Sequence, residues 1–177
     1  MLNAPHLTYS LLAPILVVLG GALIGVLVEA FLRPTVRRFA QVLITLATLA
    51  VAFFEVVMVR NKESSVAAVT SVSIDKAGLF MQGTILILAF VGTLIIADNE
   101  HFTAKAAAIP GSADEAQAIT EGTVQTEVFP LTLFAVSGML LFPVATDLIT
   151  LFVALEVLSL PLYLMAGLSR RRRLLSQ

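Results

Sequence analysis

Residues 148–168 read LITLFVALEVLSLPLYLMAGL, and Glu156 is the only charged residue among them. The hydrocarbon core of a bilayer is about 30 Å thick, and a helix needs about 20 apolar residues to cross it. Hydrocarbon offers no water to the backbone, so a crossing segment satisfies its own N–H and C=O groups by forming a helix. This stretch therefore predicts a transmembrane helix with one carboxyl near its centre.

Four more runs of the same kind precede it, and each predicts a transmembrane helix. They span about residues 11–31, 39–59, 78–97 and 128–146. Glu29 is the only charged residue of the first run and Glu55 of the second, whereas the third and fourth runs have none. The predicted fold class is an all-α integral membrane protein with five transmembrane helices, in which residues 1–177 form a single membrane domain.

The composition of the whole chain agrees with a membrane protein and excludes other classes. Of its 177 residues, 58% are hydrophobic and 13% are charged. Soluble domains have about 45–50% apolar and about 25% charged residues, so a soluble enzyme and a disordered tail are excluded. A net charge of −1 gives nucleic acid no basic surface to bind. The chain has no cysteine, and His6 and His101 are too few and too far apart for a metal or haem site, so we expect no cofactor in it.

Basic residues predict how the helices are oriented. With the N-terminus outside, the inner connections hold eight Lys and Arg residues and the outer ones hold three. Positive residues favour the inner side, so we predict an outside N-terminus and an inside C-terminus. The eight are Arg33, Arg37, Arg38, Lys105, Arg170, Arg171, Arg172 and Arg173, and the three are Arg60, Lys62 and Lys76.

The first run and the overall usage of basic residues predict the compartment. The N-terminal flank MLNAPHLTYS has no Lys or Arg, so the first run is predicted to be a retained helix rather than a cleaved signal peptide. Arg outnumbers Lys eight to three, and Ala and Val are plentiful. This usage favours a bacterial plasma membrane over an organelle inner membrane.

Three connections between the runs have recognisable features. Arg33-Pro34 predicts a sharp end to the first helix, because the residue before a proline is pushed out of the helical region. The outer loop 60–77 contains VTSVSI, whose partial alternation suits a short strand or hairpin on the membrane surface. The inner loop 98–126 is long and acidic, and we expect a solvated loop with some helix or, alternatively, a surface that docks a partner.

Glu156 is the main candidate for a functional residue. An ionisable residue at a helix centre costs roughly 2.5–3.5 kcal/mol, and such residues usually face a bundle interior or a water-filled path. Ser159 and Tyr163 follow at i+3 and i+7 and share its helical face. Pro161 has no N–H, so the carbonyl of Val157 loses its helical partner at a local break that suits water. The set predicts a proton relay; the alternatives are a neutral Glu156 bonded to a neighbouring helix and a proline that only kinks the helix.

A proton relay also needs a group that changes the affinity of the carboxyl for its proton. A nearby cation favours the ionised form, so a moving cation would switch Glu156 between holding and releasing a proton. The five predicted spans contain no Lys, Arg or His, and the cation is therefore expected from elsewhere in an assembly.

Several other residues favour structural roles. Glu29 precedes Arg33 by four residues, which is the spacing of an ion pair within a helix. Asp147 stands before the fifth run, where a short acidic side chain predicts a helix N-cap. Gly21 and Gly25 are four residues apart in the first run, and this spacing permits close packing of a second helix.

The fourth and fifth runs resemble a known family. The stretch GMLLFPVATDLITLFVALEVLSLPLYLMAG, residues 138–167, is similar to the fourth-to-fifth helix region of subunit N of proton-translocating NADH-quinone oxidoreductase, respiratory complex I. Its most specific part is LFVALEVLSLPLYLMAG, in which Glu156 occupies the place of the family's glutamate. SIDKAGLF, with Asp75, and Glu127 before the fourth run also resemble the family. The resemblance spans most of the chain and is sharpest over about residues 128–168.

This resemblance implies an antiporter-like membrane subunit of about fourteen helices, in which protons cross along a glutamate and several lysines. It implies that Glu156 is the glutamate of the first channel half and that its partner is a lysine on the seventh helix. On this resemblance, a chain that stops at Gln177 is expected to correspond to the N-terminal third and to lack the lysine-bearing helices. It further implies that NADH, FMN, iron–sulfur clusters and quinone are bound by other subunits. The expected partners are lipid and other complex I membrane subunits, including neighbouring antiporter-like ones.

Three functions remain open at this point. The first is a proton-translocating, non-redox subunit of NADH-quinone oxidoreductase. The second is an antiporter-like subunit of a cation/proton antiporter or a membrane-bound hydrogenase, which the co-purifying subunits and the sequence beyond Gln177 would distinguish from the first. The third is a non-catalytic scaffold or assembly protein, which predicts that Glu156 tolerates replacement by leucine.

Overall fold

The computed structural model describes residues 9–60, 65–68, 71–98 and 126–168. The elements in chain order are helices α1 (Tyr9–Phe31) and α2 (Pro34–Val59), strands β1 (Ser65–Ala68) and β2 (Val72–Ile74), and helices α3 (Lys76–Ala97), α4 (Val128–Leu141) and α5 (Leu148–Leu168). The two histidines, the acidic loop between Asp98 and Thr126, and Arg170 to Arg173 lie outside the described residues.

Four helices, α1, α2, α3 and α5, are long and apolar enough to cross a bilayer. The fourth apolar segment, Val128–Val144, is shorter and consists of α4 with one 3₁₀ turn. The described part of the chain is thus an all-α membrane fold, as the apolar runs predict, with one small hairpin added.

Helix α4 ends sooner than the sequence predicts. The prediction ran to Thr146, whereas the α-helix ends at Leu141 and a 3₁₀ turn, Phe142–Val144, follows. Pro143 explains the difference, because it lacks the N–H that the next helical hydrogen bond, to the carbonyl of Met139, would need. Gln82 of α3 donates a hydrogen bond of 3.0 Å to the carbonyl of Leu140, which is one of the carbonyls that the helix end leaves free.

Helix α2 begins five residues earlier than the predicted residue 39. Proline is favoured at the first helical position because its missing N–H needs no partner there, and α2 starts at Pro34 after an extended Arg33. The turn that the sequence predicts therefore shrinks, and Arg37 and Arg38 belong to the helix. Arg38 Nη2 donates to the carbonyl of Ala97 at 3.0 Å, so this cation caps the end of α3.

Helix α4 is the central element of the bundle, and each of the other four helices contacts it. Its buried side chains include Leu133 and Leu140, both at 0% exposure, and the core continues into α1 and α2 through Val18 and Leu49. Small residues bring the helices close. A Cβ added to Gly21 would collide with the Thr48 side chain of α2, so the predicted close packing at Gly21 and Gly25 is confirmed.

A two-stranded antiparallel hairpin, β1 with β2, lies at one end of the bundle, as the alternation within loop 60–77 predicts. Val72 of β2 also forms a bridge with Ala145, and the N–H of Thr146 donates to the carbonyl of Ser71 at 3.0 Å. The hairpin is therefore joined to the link between α4 and α5. We call this the hairpin end, and the opposite end, where α1 meets α2, the Glu29 end.

Candidate functional site

Glu156 lies near the middle of α5 and is half-buried. Helix α5 touches α4 most closely at Gly138, where an added Cβ would lie 2.8 Å from the carbonyl oxygen of Ala154 and 2.5 Å from the backbone nitrogen of Leu158. Successive helical residues are about 100° apart, so Glu156 lies on the opposite side of α5 from this contact. Its carboxyl therefore faces away from α4.

The other predicted site residues divide between the two sides of α5. By the same helical geometry, Ser159 and Tyr163 lie on the side of Glu156, and Tyr163 is 71% exposed. Pro161 is buried toward α4, and α5 stays helical through it to Leu168. The structure thus brings Glu156, Ser159 and Tyr163 onto one face and separates Pro161 from them. Among the described residues, no hydrogen bond or ion pair joins the side chain of Glu156 to another group.

Helix α5 is the least covered of the four long apolar helices in the described bundle. In the most apolar stretch of α5, only 11% of the residues are buried, whereas the corresponding share is 33% in α1 and in α2. Most of its exposed side chains are large and apolar, and they include Leu148, Phe152 and Leu155 in addition to Tyr163. Glu156 is consequently set in an apolar surface that a bilayer or further helices would cover.

Glu29 is the carboxylate that the described residues surround with partners. Arg37 Nε lies 3.1 Å from its Oε1, and Gln41 Nε2 donates to its Oε2 at 3.0 Å. The hydroxyl of Thr126, which stands just before α4, is 2.8 Å from each carboxylate oxygen. Three parts of the chain therefore meet at one charged group.

The predicted pairing of Glu29 with Arg33 is wrong. An i, i+4 pair requires both residues to be in one helix, but α1 ends at Phe31. Arg33 lies beyond that end and is extended, with φ −67° and ψ 143°. Arg37 stands one turn into α2 and returns across the turn to Glu29. Sequence reasoning treated Arg37 as a loop residue because it placed the start of α2 too late.

Gln41 continues the polar contacts from Glu29 into the bundle. Its side chain is fully buried, and its Nε2 also donates to the carbonyl of Gly25 at 2.8 Å. A Cβ on Gly25 would lie 3.2 Å from Gln41 Oε1 and 3.0 Å from the Cβ of Pro130 in α4, so glycine makes the room for this amide. The sequence contains a pattern that could have indicated this polar face of α2. Arg37, Gln41 and Thr45 are spaced four residues apart and therefore share one face of the helix.

Asp147 caps α5, as the sequence predicts. The backbone N–H and the hydroxyl of Thr150 each donate to its carboxylate at 2.8 Å. The bond from the Thr150 N–H, more than any other contact, lowers the pKa of Asp147, and hydrogen bonds from the Thr150 and Ser71 hydroxyls act in the same direction. Asp147 thus joins the start of α5 to the hairpin end and has no geometric relation to a relay at Glu156.

The described residues contain no group of three or more His, Asp or Glu side chains that could hold a metal ion. The carboxyl groups, amides and hydroxyls among them can exchange protons and bind water.

Comparison with known proteins identifies the relatives of the chain. No family model matches it. NADH-quinone oxidoreductase subunit N of Acidothermus cellulolyticus is 50% identical over 98% of this chain and 34% of its own length. The protein of the same name from Mycobacterium tuberculosis is 44% identical over 100% of this chain and 38% of its own length. The protein of the same name from Thermobifida fusca is 47% identical over 99% of this chain and 34% of its own length.

The chain therefore spans a little over a third of the length of the curated relatives that it matches. These relatives are bacterial. Over nearly all of its residues, the chain is a homologue of the NADH-quinone oxidoreductase subunit N proteins.

Proposed function

We propose that this chain is part of a proton-translocating, non-redox membrane subunit of NADH-quinone oxidoreductase in a bacterial plasma membrane. The observation that carries the proposal is the identity of 44–50% to proteins of that name over at least 98% of the chain. The apolar helices supply the membrane setting, because four of them have the length and composition to cross a bilayer.

Glu156 is the proposed proton carrier within this subunit. An ionisable group at mid-helix is costly in a membrane and is usually retained for a pathway or a partner. Its face of α5 turns away from α4 and also carries Ser159 and Tyr163, so an approaching helix or water would meet three polar groups on one side. In the proposal, the hydroxyls of Ser159 and Tyr163 bind water beside the carboxyl. Pro161, on the α4 side, has no N–H, so the backbone carbonyl of Val157 lacks its helical donor.

The proposal also includes an orientation and partners. Arg33, Arg37 and Arg38 all lie at the Glu29 end, which we assign to the inner side by the positive-inside rule. The hairpin end then faces outward. The partners are other membrane subunits of the same enzyme, with antiporter-like subunits among them, and lipid. NADH, FMN, iron–sulfur clusters and quinone are assigned to other subunits.

The test replaces Glu156 by glutamine and by aspartate in the full-length subunit within the assembled enzyme. Glutamine keeps the shape of the side chain and removes the titratable proton, so proton pumping driven by NADH and quinone in vesicles should fall about tenfold, an increase of about 1.4 kcal/mol in the barrier. Aspartate keeps the proton and should retain much of the pumping. Glu55→Gln serves as the matched control, because Glu55 is a half-buried carboxyl near the end of α2.

Two outcomes would decide against the proposed role. If Glu156→Gln and Glu156→Leu both pump and assemble as well as the unaltered enzyme, the chain acts as a scaffold. If the protein copurifies with a cation/proton antiporter or a hydrogenase and NADH oxidation is absent, the second function of the sequence analysis replaces the first.

A further inference from the structure

Within the part of the chain that the structure describes, four buried side-chain polar atoms lack a hydrogen-bond partner: Arg37 Nε, Gln41 Oε1, Thr45 Oγ1 and Gln82 Oε1. Two of them, Gln41 Oε1 and Thr45 Oγ1, belong to residues that stand one turn apart on the same face of α2. Both side chains have 0% exposure. A buried polar atom left unpaired costs about 1–3 kcal/mol, and a bilayer offers no solvent to relieve that cost.

Thr45 differs in this respect from three other helical threonines. The hydroxyls of Thr84, Thr93 and Thr132 each donate to the carbonyl four residues earlier, at 2.8–2.9 Å. That bond satisfies a threonine within its own helix. The hydroxyl of Thr45 does not make this bond, and it is buried one turn along α2 from Gln41.

A cavity at the Glu29 end shares Glu29 and Pro130 with the surroundings of Gln41. This cavity of about 450 Å³ is lined by Val26, Glu29, Ala30, Glu127, Pro130, Leu131 and Leu164. Glu29 lies in its wall and accepts from Gln41 Nε2 on the other side. Pro130 also lines the cavity and touches the space beside Gly25 where Gln41 Oε1 lies. Polar side chains thus follow one another from the cavity wall toward the core: Glu29, then Gln41, which is bonded to it, then Thr45 one turn further along α2.

We infer that this series is a hydrated pocket, a water-binding site that enters the bundle from the Glu29 end and ends at Thr45. A buried water needs two to four polar partners, and Gln41 Oε1, an acceptor, with Thr45 Oγ1, a donor and acceptor, supplies the innermost pair. Beyond Thr45 the same face of α2 continues with Leu49, which is 1% exposed and lies in the apolar core, so the pocket stops there. The site lies between α1, α2 and α4 and is independent of the function proposed for Glu156.

The absence of cysteine from the chain makes the inference directly testable. Thr45→Cys, Leu49→Cys and Arg60→Cys are each introduced into the full-length protein in membrane fragments open on both faces. The probe is Ag⁺, which reaches a thiol through water, and the thiols left unblocked are labelled with a fluorescent maleimide in detergent after unfolding. The unaltered protein sets the background.

Ag⁺ should block the thiol of Thr45→Cys at a rate at most about tenfold below that of Arg60→Cys, where the cysteine is exposed. The reason is that thiols react as thiolates, and thiolates need water. Leu49→Cys, one turn deeper, should react at least about a hundredfold more slowly for the same reason. Equal, slow blocking of Thr45→Cys and Leu49→Cys would overturn the inference.

A second variant tests the route rather than the end point. Gln41→Leu in the Thr45→Cys background keeps the side-chain bulk and removes the amide that holds the water, so blocking should slow by about tenfold. Gly25→Ala, which fills the space beside Gln41 Oε1, should slow it too and serves if Gln41→Leu does not assemble. Unchanged blocking in either assembled variant contradicts a pocket that passes Gln41.

Discussion

Glu29 and Glu156 are both carboxylates in apolar helices, and their surroundings are opposite. Glu29 is held by Arg37, Gln41 and Thr126, so its charge is compensated within the described bundle. Glu156 faces away from α4 on the least covered helix. An ionisable residue that has no partner in a membrane helix is a candidate for a functional site, which is the basis of the role proposed for Glu156.

The ion pair at Glu29 leads to a prediction about stability. Arg37→Leu leaves the largely covered carboxylate without its cation and should lower the free energy of unfolding by about 1–3 kcal/mol. The matched control is Arg33→Leu, which removes an exposed arginine that lies beyond α1 and should change stability by less than about 0.5 kcal/mol. Thermal unfolding in detergent micelles measures both, and equal effects would show that Arg37 has no special role.

The lowered pKa of Asp147 leads to a prediction about pH. The folded state favours ionised Asp147, so its contribution is complete above the ordinary Asp value of 3.8 and is lost as the pH falls through the lower, folded-state pKa. Asp147→Asn keeps an oxygen that accepts the cap bond and removes the titration. Between about pH 5 and about pH 2.5, the melting temperature of the unaltered protein should fall toward that of Asp147→Asn. A constant difference between the two proteins would contradict this assignment.

At the scale of the helices, the contact of α4 with α5 depends on one missing side chain. A Cβ at Gly138 would lie 2.5 Å from the backbone nitrogen of Leu158, so Gly138→Ala must push the two helices apart and should destabilise the protein by about 1–3 kcal/mol. Gly92→Ala is the control, because nothing lies within 4 Å of its added Cβ. That control should gain up to about 1 kcal/mol from helix propensity. Urea or thermal unfolding in micelles separates them, and a stabilising Gly138→Ala would refute the close contact.

The helices could be predicted from the sequence because a long apolar run in a bilayer has one low-energy backbone conformation. Their ends were harder to predict, since the same residue, proline, starts α2 at Pro34 and interrupts the helix at Pro143. Glu156, Ser159 and Tyr163 could be placed on one face because they share one helix. The partners of Glu29 could not, because Arg37, Gln41 and Thr126 come together only when α1, α2 and the start of α4 pack.

At the scale of the whole molecule, the two ends of the described bundle differ in chemistry. The Glu29 end is held by an ion pair and side-chain amides, and the hairpin end by backbone hydrogen bonds and the cap at Asp147. Both side chains of the ion pair are largely covered, so salt screens this pair less than it screens an exposed one.

The bridge between Val72 and Ala145 joins two positions that are far apart along the chain. A ribosome makes the N-terminal part first, so β2 leaves the ribosome before Ala145 and Thr146 have been synthesised. During that interval the Ser71 carbonyl cannot yet accept from the Thr146 N–H. Closure of this bridge consequently reports that the α4–α5 link has reached the same membrane surface as the hairpin, which makes it a natural marker of completed insertion.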